Sequence, residues 1–578
     1  MLDCLVTGGE VLDGSGRPGR RADVAIRDGR VVAIAEPGTI DEDAAARIDA
    51  DGLAVAPGFV DIHTHYDAQL FWDPAATPSP LHGVTTIVGG NCGFTIAPLV
   101  PSEADYMRRM LARVEGMPLE SLEAGVPWDW RSFGDYLDRL DGNVAVNAGF
   151  LVGHSAIRRA VMRDAAVGEE AKPAQVDEMA RLLDESLAAG GLGFSSSQAA
   201  THNGGDGRPV PSRFATRDEL LALCGVVRRH DGTTLEFIPA VGGFLPEHLE
   251  LMTTMSLAAN RPLNWNVLAV NSARPQAHEE SLAAGDYAAE RGGRVLALTV
   301  PDVTLVHLNF KTAFLLDALP GWGETMALPH DEKLKALSDP EVRARLKESA
   351  ASPDAGVFRT MFKWENMRIV DTFAPENAGL AGSTVGKVAA ERGVDPFDAL
   401  LDVVIADDLR TVIAPPMAGG DDASWRMRAE VWRDPRAVVG ASDAGAHLDM
   451  LSTFTYTTSM LRAVREHDLM PMAEAVHLLT DVQARLYGIR ERGRIQEGWH
   501  ADLVVFDADR IAPGRVYTRD DLPGGAGRLY AEAEGIEHVL VNGVEIVRGG
   551  EVTGATPGTL LRSGRDTETV TVPGGQSG

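Results

Sequence analysis

The sequence has few cysteines, no long hydrophobic run and a shortage of positive charge. Only Cys4, Cys92 and Cys224 are cysteines among 578 residues, which excludes a disulfide-stabilised fold. No stretch approaches 18 uncharged apolar residues, so we expect no membrane-spanning helix. The first residues, MLDCLVTGGEVLDGSG, carry acids and glycines where a signal peptide would carry a basic and then an apolar segment. These absences predict a soluble, cytoplasmic protein.

The charge balance limits the partners. Lysine and arginine number 54 against 83 acidic residues, for a net charge of −29. Such an acidic surface repels nucleic acid and anionic membranes, so we expect neither as a partner. A small-molecule substrate is the remaining expectation, and a homo-oligomer is left open.

Both ends of the chain have the composition of short β-strands. Asp28-Gly29 and Asn542-Gly543 each separate two apolar, β-branched runs, which is typical of hairpins. We therefore predict that residues 1–56 and 490–562 form one small β-sandwich domain. Residues 563–578 are rich in Gly, Ser and Thr and are predicted to be a flexible tail.

The middle of the chain alternates between strand-like and helix-like segments. About eight such units over residues 57–489 predict an α/β fold of the (β/α)8 TIM-barrel type. Residues 271–360 fit the alternation poorly and are predicted to be an inserted lid.

One strand of this region ends in Val60-Asp61-Ile62-His63-Thr64-His65. Because side chains alternate along a strand, His63 and His65 point the same way, about 7 Å apart, and can hold one metal ion. Strand ends of this kind face the active-site mouth of a barrel. Two histidines alone are weak evidence, since such pairs also occur without a metal.

The surrounding strings add a family resemblance. APGFVDIHTHYDAQLFWDP followed by HGVTTIVGGNCGF resembles the amidohydrolase superfamily, and specifically its N-acyl-D-amino-acid deacylase (D-aminoacylase) family. That family uses the cysteine of GNCG as a metal ligand, which implies the same role for Cys92. A thiolate is a strong zinc ligand.

The resemblance continues in order along nearly the whole chain. NAGFLVGHSAIR resembles the family's third-strand segment and places His154 near the mouth, and GRIQEGWHADLVVFD resembles the return into the β-domain. VVGASDAGAH resembles the eighth-strand motif and implies that Asp443 is the catalytic carboxylate. A carboxylate beside a metal-activated water can accept its proton and pass it to a leaving nitrogen.

The sequence departs from the family at two metal-ligand histidines. The fifth strand reads TTLEFIPAV and the sixth LNWNVLAVN, so the nearest matches are Glu236 and Asn266, with Asn264 as an alternative for the second. Glu236 can bind a metal through oxygen, or can pair with a base such as Lys363. The predicted ligands are His63, His65, Cys92, Glu236 and Asp443. They would hold one or two divalent ions, zinc first, with manganese or iron as alternatives.

A second departure concerns the substrate. The family's basic HPR-like string after the catalytic aspartate is replaced here by HLDMLSTF. Lys363, in FKWENMRI, which resembles the segment around the family's seventh strand, is one replacement cation. The predicted substrate-binding residues are His154, His202, Asn266 and Lys363.

Three functions follow from these observations. The first is metal-dependent hydrolysis of a non-peptide amide bond, in an N-acyl-D-amino acid or related amide, with Asp443 as general base. The second is hydrolysis of another bond by the same fold, such as a cyclic imide, a carbamate or a lactone. The third is a degenerate barrel that only binds ligands, which the retention of His63, His65, Cys92 and Asp443 disfavours.

Overall fold

Helices and strands alternate through most of the chain, which gives a mixed α/β structure. The computed structural model describes residues 1–303, 306–313, 315–316, 319–355, 362–416 and 419–573. Its α-helices are Ala104–Val114, Leu119–Gly125, Phe133–Leu140, His154–Met162, Pro173–Ala188, Arg217–Val227, Pro246–Ala259, Ala277–Ala289, Gly323–Met326, His330–Ser338, Pro340–Ala351, Val385–Arg392, Pro396–Ala406, Asp422–Trp432, Tyr456–His467, Met472–Leu479 and Asp481–Leu486.

Parallel strands run side by side through the middle of the chain, and we call them the central strands. Neighbours in sequence are hydrogen-bonded neighbours in space, and almost every residue in them is buried. Burial on both faces explains their nearly continuous apolar or small residues. In chain order the eight in the described ranges are Phe59–Asp61, Val84–Gly89, Asn147–Phe150 continued by Val152–Gly153, Gly193–Ser197, Thr234–Ile238, Leu263–Leu268, Val295–Thr299 and Ala437–Val439.

The first and eighth central strands also approach each other. Thr64 and Ala444, which follow these two strands, form a parallel bridge. All eight strands are parallel, so their carboxyl ends lie on one side. Residues that follow the first, second, fifth, sixth and eighth strands are therefore brought together there.

A separate sheet combines the two ends of the chain. Ala54–Pro57 from the N-terminal part pairs antiparallel with Leu503–Phe506 from the C-terminal part. The order across the sheet is Glu551–Val552, Val544–Arg548, Ile536–Val541, Leu503–Phe506, Ala54–Pro57, Leu2–Val11, Arg20–Arg27 and Arg30–Ala35, with Ala44–Asp49 beside Leu2–Val11. Two small sheets, Ala512–Pro513 with Ala533–Glu534 and Tyr517–Arg519 with Arg528–Tyr530, complete this part.

The predicted lid at 271–360 needs correction at both ends. Residues 277–299 form a helix and the seventh central strand, so they belong to the alternating core. The insertion follows that strand, and its own hydrophobic core runs from Leu308 to Ile413 around Trp322 and Phe397. Val295–Thr299 escaped sequence reasoning because a short, wholly apolar run does not distinguish a buried strand from a helix. Parts of the predicted lid, at 304–305, 314, 317–318 and 356–361, lie outside the described residues.

The segment predicted to be a flexible tail, 563–578, contacts the rest of the chain at two buried residues. Thr567 donates to Gly232 O at 2.7 Å, and Val572 is also buried. Residues 574–578 lie outside the described residues. None of the described helices has the length and apolar character needed to cross a bilayer.

Candidate metal and active site

The segment after the first central strand carries two buried histidines that share one side. Thr64, between them, donates its N–H to Val88 O of the second strand at 3.0 Å, and His65 donates its N–H to Ala444 O at 2.7 Å. The segment is thus fixed between its two neighbours in the strand order. The rings of His63 and His65 have centroids 5.4 Å apart.

Asp443 is held against these histidines by its backbone. Its N–H donates to His63 O at 3.1 Å, and its φ of 58° lies in the left-handed region that non-glycine residues seldom adopt. Two residues later, Gly445 has a φ of 89°, and a Cβ there would lie 2.7 Å from the His65 carbonyl carbon. Only glycine permits this approach, and the strained backbone is typical of a functional site.

Cys92 sits in a tight loop after the second central strand, with a φ of 57°. Its N–H donates to Glu236 Oε2 at 2.8 Å, and the next residue, Gly93, donates to Ser195 Oγ at 3.0 Å. Asn91 Nδ2 ties the loop to Val88 O at 2.9 Å. Ser195 of the fourth strand and Glu236 of the fifth strand therefore fix the position of the loop that carries the thiol.

Four side-chain atoms converge in this region: Nε2 of His63, Nε2 of His65, Sγ of Cys92 and Oδ1 of Asp443. Asp443 Oδ1 lies 3.0 Å from His65 Nε2 and 3.5 Å from His63 Nε2. Cys92 Sγ lies 3.5 Å from His63 Nε2 and 3.9 Å from His65 Nε2. Tetrahedral zinc, with bonds of about 2.0–2.3 Å, would space its ligand atoms about 3.3–3.8 Å apart. The residues present fit a metal ion.

Buried carboxyl groups surround the convergent atoms. Burial raises the pKa of Asp61 to about 7, of Asp67 to about 6, of Glu115 to about 7 and of Glu236 to about 8. Burial opposes a charge on His65, but the carboxylates of Glu115 and Asp443 outweigh it and raise the pKa of His65 to about 10. The electrostatic field at this point favours a cation.

Several buried polar atoms here have no hydrogen-bond partner among the described residues. They include Glu236 Oε1, Asp61 Oδ2 and Asn266 Oδ1. Leaving such atoms unpaired costs about 1–3 kcal/mol each. A cation bound among them would relieve that cost, which is the second sign that the residues fit a metal.

Asp443 differs from its neighbours in accessibility. Its side chain is 27% exposed, whereas that of His63 is 0% and that of His65 is 2% exposed. Burial opposes its charge, but hydrogen bonds from His63 and His65 hold the pKa of Asp443 well below its usual range. An ionised carboxylate therefore lies at the accessible edge of the cluster.

Two predicted substrate-binding residues lie at the cluster. Asn266 Nδ2 is 3.0 Å from His63 Nε2. His202 is half-buried against Phe94, two residues after Cys92, and burial lowers its pKa to about 3, with smaller effects from the charges of Asp443, His447 and His65. Its Nδ1 is 2.7 Å from Ser197 Oγ, at the end of the fourth strand.

The other two predicted substrate-binding residues are not brought to the cluster. Both ring nitrogens of fully buried His154 are engaged, Nδ1 by Ser196 Oγ and Nε2 by Glu219 Oε1, each at 2.8 Å. Arg158 also pairs with Glu219, so this is an internal network behind the fourth strand. Lys363 is exposed, on the insertion, and is not bonded to Glu236 in the described structure. The segment around it belongs to the insertion, and the seventh central strand lies earlier in the chain.

Sequence reasoning missed three residues of the site. Glu115 Oε1 lies 3.5 Å from His65 Nδ1, although no local pattern marks it at the end of a helix. Asp61 and Asp67 flank the two histidines within DIHTHYD, so their position was a usable signal. Buried carboxylates beside ligand histidines are common at metal centres.

The larger cavities lie away from these atoms. Cavities of about 840, 480 and 310 Å³ are lined by the insertion and its neighbours, and none of the three includes His63, His65, Cys92 or Asp443 among its described lining residues. The cavity that touches Asp443 measures about 10 Å³, enough for a single water.

Comparisons with known proteins agree with this geometry. The family model described as "Amidohydrolase family" matches residues 46–547. The chain is 30% identical to an N-acyl-D-aspartate deacylase of Alcaligenes xylosoxydans xylosoxydans over 98% of this chain and 96% of that protein. Among solved structures it resembles a D-aminoacylase described by its binuclear metal center, with a TM-score of 0.64, 26% identity and coverage of 97% of this chain and 100% of that one. It also resembles the N-acyl-D-glutamate deacylase of Bordetella bronchiseptica, solved with zinc and a phosphonate inhibitor. The TM-score is again 0.64, with 26% identity and coverage of 97% of this chain and 100% of that one.

Proposed function

Because the chain belongs to the amidohydrolase family, we propose that it is a metal-dependent hydrolase of the amide bond in N-acyl-D-amino acids or closely related amides. The observation that carries the proposal is the convergence of His63, His65 and Cys92, whose ligand atoms all lie within 4.8 Å of one another. Asp443 Oδ1 adjoins the two histidines, 3.0 Å from His65 Nε2 and 3.5 Å from His63 Nε2. The reactions named for its relatives support the substrate class.

The proposed fold is a (β/α)8 barrel with a β-sandwich domain built from both termini. The order of the central strands and the bridge between Thr64 and Ala444 support closure. In such barrels the carboxyl ends of the strands carry the active site, which is where the four convergent residues lie.

The proposed metal is zinc, held by the two histidines, the thiolate and Asp443. Imidazole and thiolate together favour zinc over magnesium or calcium. Glu236 is the proposed additional ligand through Oε1, because its Oε2 already accepts the Cys92 N–H. When bound, such an ion supplies Lewis-acid chemistry, polarising a carbonyl and making water a better nucleophile.

The chain's own groups then account for the proton. Asp443 accepts a proton from the attacking water as its oxygen adds to the amide carbon. The same carboxyl then gives that proton to the nitrogen as the C–N bond breaks, releasing an amine and a carboxylate. Its accessible position and ionised state suit both steps.

A second candidate is a hydrolase of the same fold that acts on a substrate without a carboxylate, such as a cyclic imide. It is favoured by HLDMLSTF, which supplies no arginine after Asp443. The ion pairs of Asp443 in the described structure are with His63 and His65.

Metal analysis followed by a substrate panel tests the proposal. Purified protein should contain zinc, and Cys92→Ser should lose most of it. Cys224→Ser is the matched control, since Cys224 is also buried but lies in the helix Arg217–Val227. The panel contains N-acetyl amino acids of both configurations, together with hydantoin and dihydrouracil. Preference for the D-enantiomers supports the first candidate, and turnover of the cyclic substrates alone supports the second.

Equal zinc in Cys92→Ser and wild type would contradict the metal assignment. A zinc-loaded enzyme that hydrolyses no compound in the panel would contradict the substrate class.

A further inference from the structure

The fourth central strand ends in three serines that face alternate sides. Ser195 faces the Cys92 loop, where its hydroxyl donates to Gly90 O at 2.5 Å. Ser196 faces away, towards His154. Ser197 again faces inwards and contacts His202 Nδ1 at 2.7 Å.

The hydrogen bonds of Ser197 determine where the His202 ring carries its proton. Ser197 is fully buried, and its Oγ already accepts the N–H of Ala199 at 3.1 Å. His202 Nδ1 is the only acceptor within reach of the hydroxyl proton among the described residues. If Nδ1 carried the proton, a buried hydroxyl would be left without an acceptor, at a cost of about 1–3 kcal/mol. The hydroxyl therefore donates to Nδ1, and the proton of the ring lies on Nε2.

The ring of His202 is also held in place and kept neutral. Phe94, two residues after Cys92, packs edge-on against it with centroids 5.1 Å apart. The loop is closed by the N–H of Val210, which donates to His202 O at 3.2 Å. Burial lowers the pKa of His202 to about 3, so the ring is an uncharged donor at neutral pH.

We propose that the Nε2–H of His202 donates a hydrogen bond to the carbonyl oxygen of the scissile amide as negative charge develops on it, and that Ser197 is a positioning residue that fixes this tautomer. The inference rests on the proposed function for its substrate. His202 lies at the carboxyl end of the fourth central strand, against Phe94 of the Cys92 loop. The side-chain amide of Asn266 is already directed at His63 through Nδ2. No proton is transferred: His202 keeps its Nε2–H, and the proton of the attacking water travels through Asp443. Donors placed at a developing oxyanion are a major source of rate enhancement.

Variants at both residues test the role in the zinc-loaded enzyme. His202→Leu should lower kcat about 10²–10³-fold, the loss typical of one oxyanion donor, with KM changed little and zinc content unchanged. His202→Gln, whose Nε2 can donate from a similar position, should recover part of that loss. Because His202 stays neutral, His202→Leu should lower kcat by the same factor at every pH and leave the shape of the kcat–pH profile unchanged. Ser197→Ala should reduce kcat less than His202→Leu, and Ser196→Ala is the matched control on the outer side of the same strand.

A spectroscopic measurement tests the tautomer without any substrate. In zinc-loaded protein labelled with ¹⁵N-histidine, the signals lost in His202→Leu should report Nε2–H at pH 7, and Ser197→Ala should shift them towards a mixture of tautomers. An Nδ1–H tautomer, an imidazolium at pH 7, or full kcat in His202→Leu would overturn the inference. A wild type inactive on the whole panel would contradict the proposed function, while the spectrum would still decide the tautomer.

Discussion

The two ends of the central strands differ in how completely their buried carboxyl and imidazole groups are paired. At the amino ends, Asp502 accepts from Asn147 Nδ2 at 3.0 Å, from the Asn542 N–H at 2.8 Å and from Arg492. His82, which precedes the second strand, has Thr458 Oγ1 on one nitrogen at 2.8 Å and Ala531 O on the other at 3.1 Å. At the carboxyl ends, Glu236, Asp61 and Asn266 each keep an oxygen without a partner in the described structure.

This contrast separates polar groups that stabilise the fold from those prepared for a ligand. A fully paired buried network contributes to stability, whereas an incompletely paired one costs free energy. At the carboxyl ends of the strands, two features cost free energy: the unpaired buried groups and the left-handed backbone at Cys92 and Asp443. Such a combination is maintained where function requires it.

The largest expected effect comes from exchanging a carboxylate for an amide at each end. Asp443→Asn should lower kcat about 10²–10⁴-fold, because asparagine cannot accept the proton of the attacking water. Asp502→Asn should leave kcat nearly unchanged but lower the unfolding free energy by about 3–5 kcal/mol, because it breaks the buried pair with Arg492. Steady-state kinetics at equal zinc content and chemical denaturation check the two outcomes. Near-normal turnover in Asp443→Asn would contradict the view that the carboxyl ends of the strands carry the catalytic groups.

A smaller effect is expected in the pH dependence of stability at the amino ends. Burial lowers the pKa of His82 to about 4, from an ordinary 6.5. Between these values the unfolded chain binds a proton that the folded protein does not, so stability is complete above about pH 6.5 and is lost as the pH falls towards 4. The displacement corresponds to about 3 kcal/mol at most.

Denaturation of His82→Gln measured from pH 7 to pH 4 should therefore show a flatter decline than that of wild type. His330→Gln, at an exposed histidine, is the control and should retain the wild-type slope. Equal slopes in all three proteins would show that His82 does not contribute.

The sequence predicted part of the site from strand geometry and part from the family resemblance. The shared direction of His63 and His65 follows from alternation along one strand, whereas the roles of Cys92, Glu236 and Asp443 are those that the resemblance implies. The structure brings these five together, while their binding of a metal stays a prediction. The family resemblance is confirmed by the model that matches residues 46–547.

What escaped prediction depends on packing between distant segments. His154 follows the third strand, as the motif implied, but its ring turns outward to Glu219, 65 residues away. Lys363 lies on an insertion whose limits are set by its own core, from Leu308 to Ile413. Glu115 contacts His65 from 50 residues further along the chain, and no periodicity or spacing connects the two.

Glu115 provides the finest test of the comparison, because it should act on the metal only through a histidine. Its Oε1 lies 3.5 Å from His65 Nδ1, so it can orient the ring and raise the basicity of Nε2. Loss of such a carboxylate typically lowers metal affinity about 10–100-fold. Glu115→Gln should therefore bind zinc that much more weakly in a chelator competition assay on metal-free protein, and saturating zinc should restore turnover.

Glu123→Gln is the control, at an exposed glutamate of the next helix, and it should bind zinc as wild type does. If both variants keep wild-type affinity, Glu115 does not act on the metal. Its carboxylate would then be one that stabilises the fold, although it lies at the carboxyl ends of the strands.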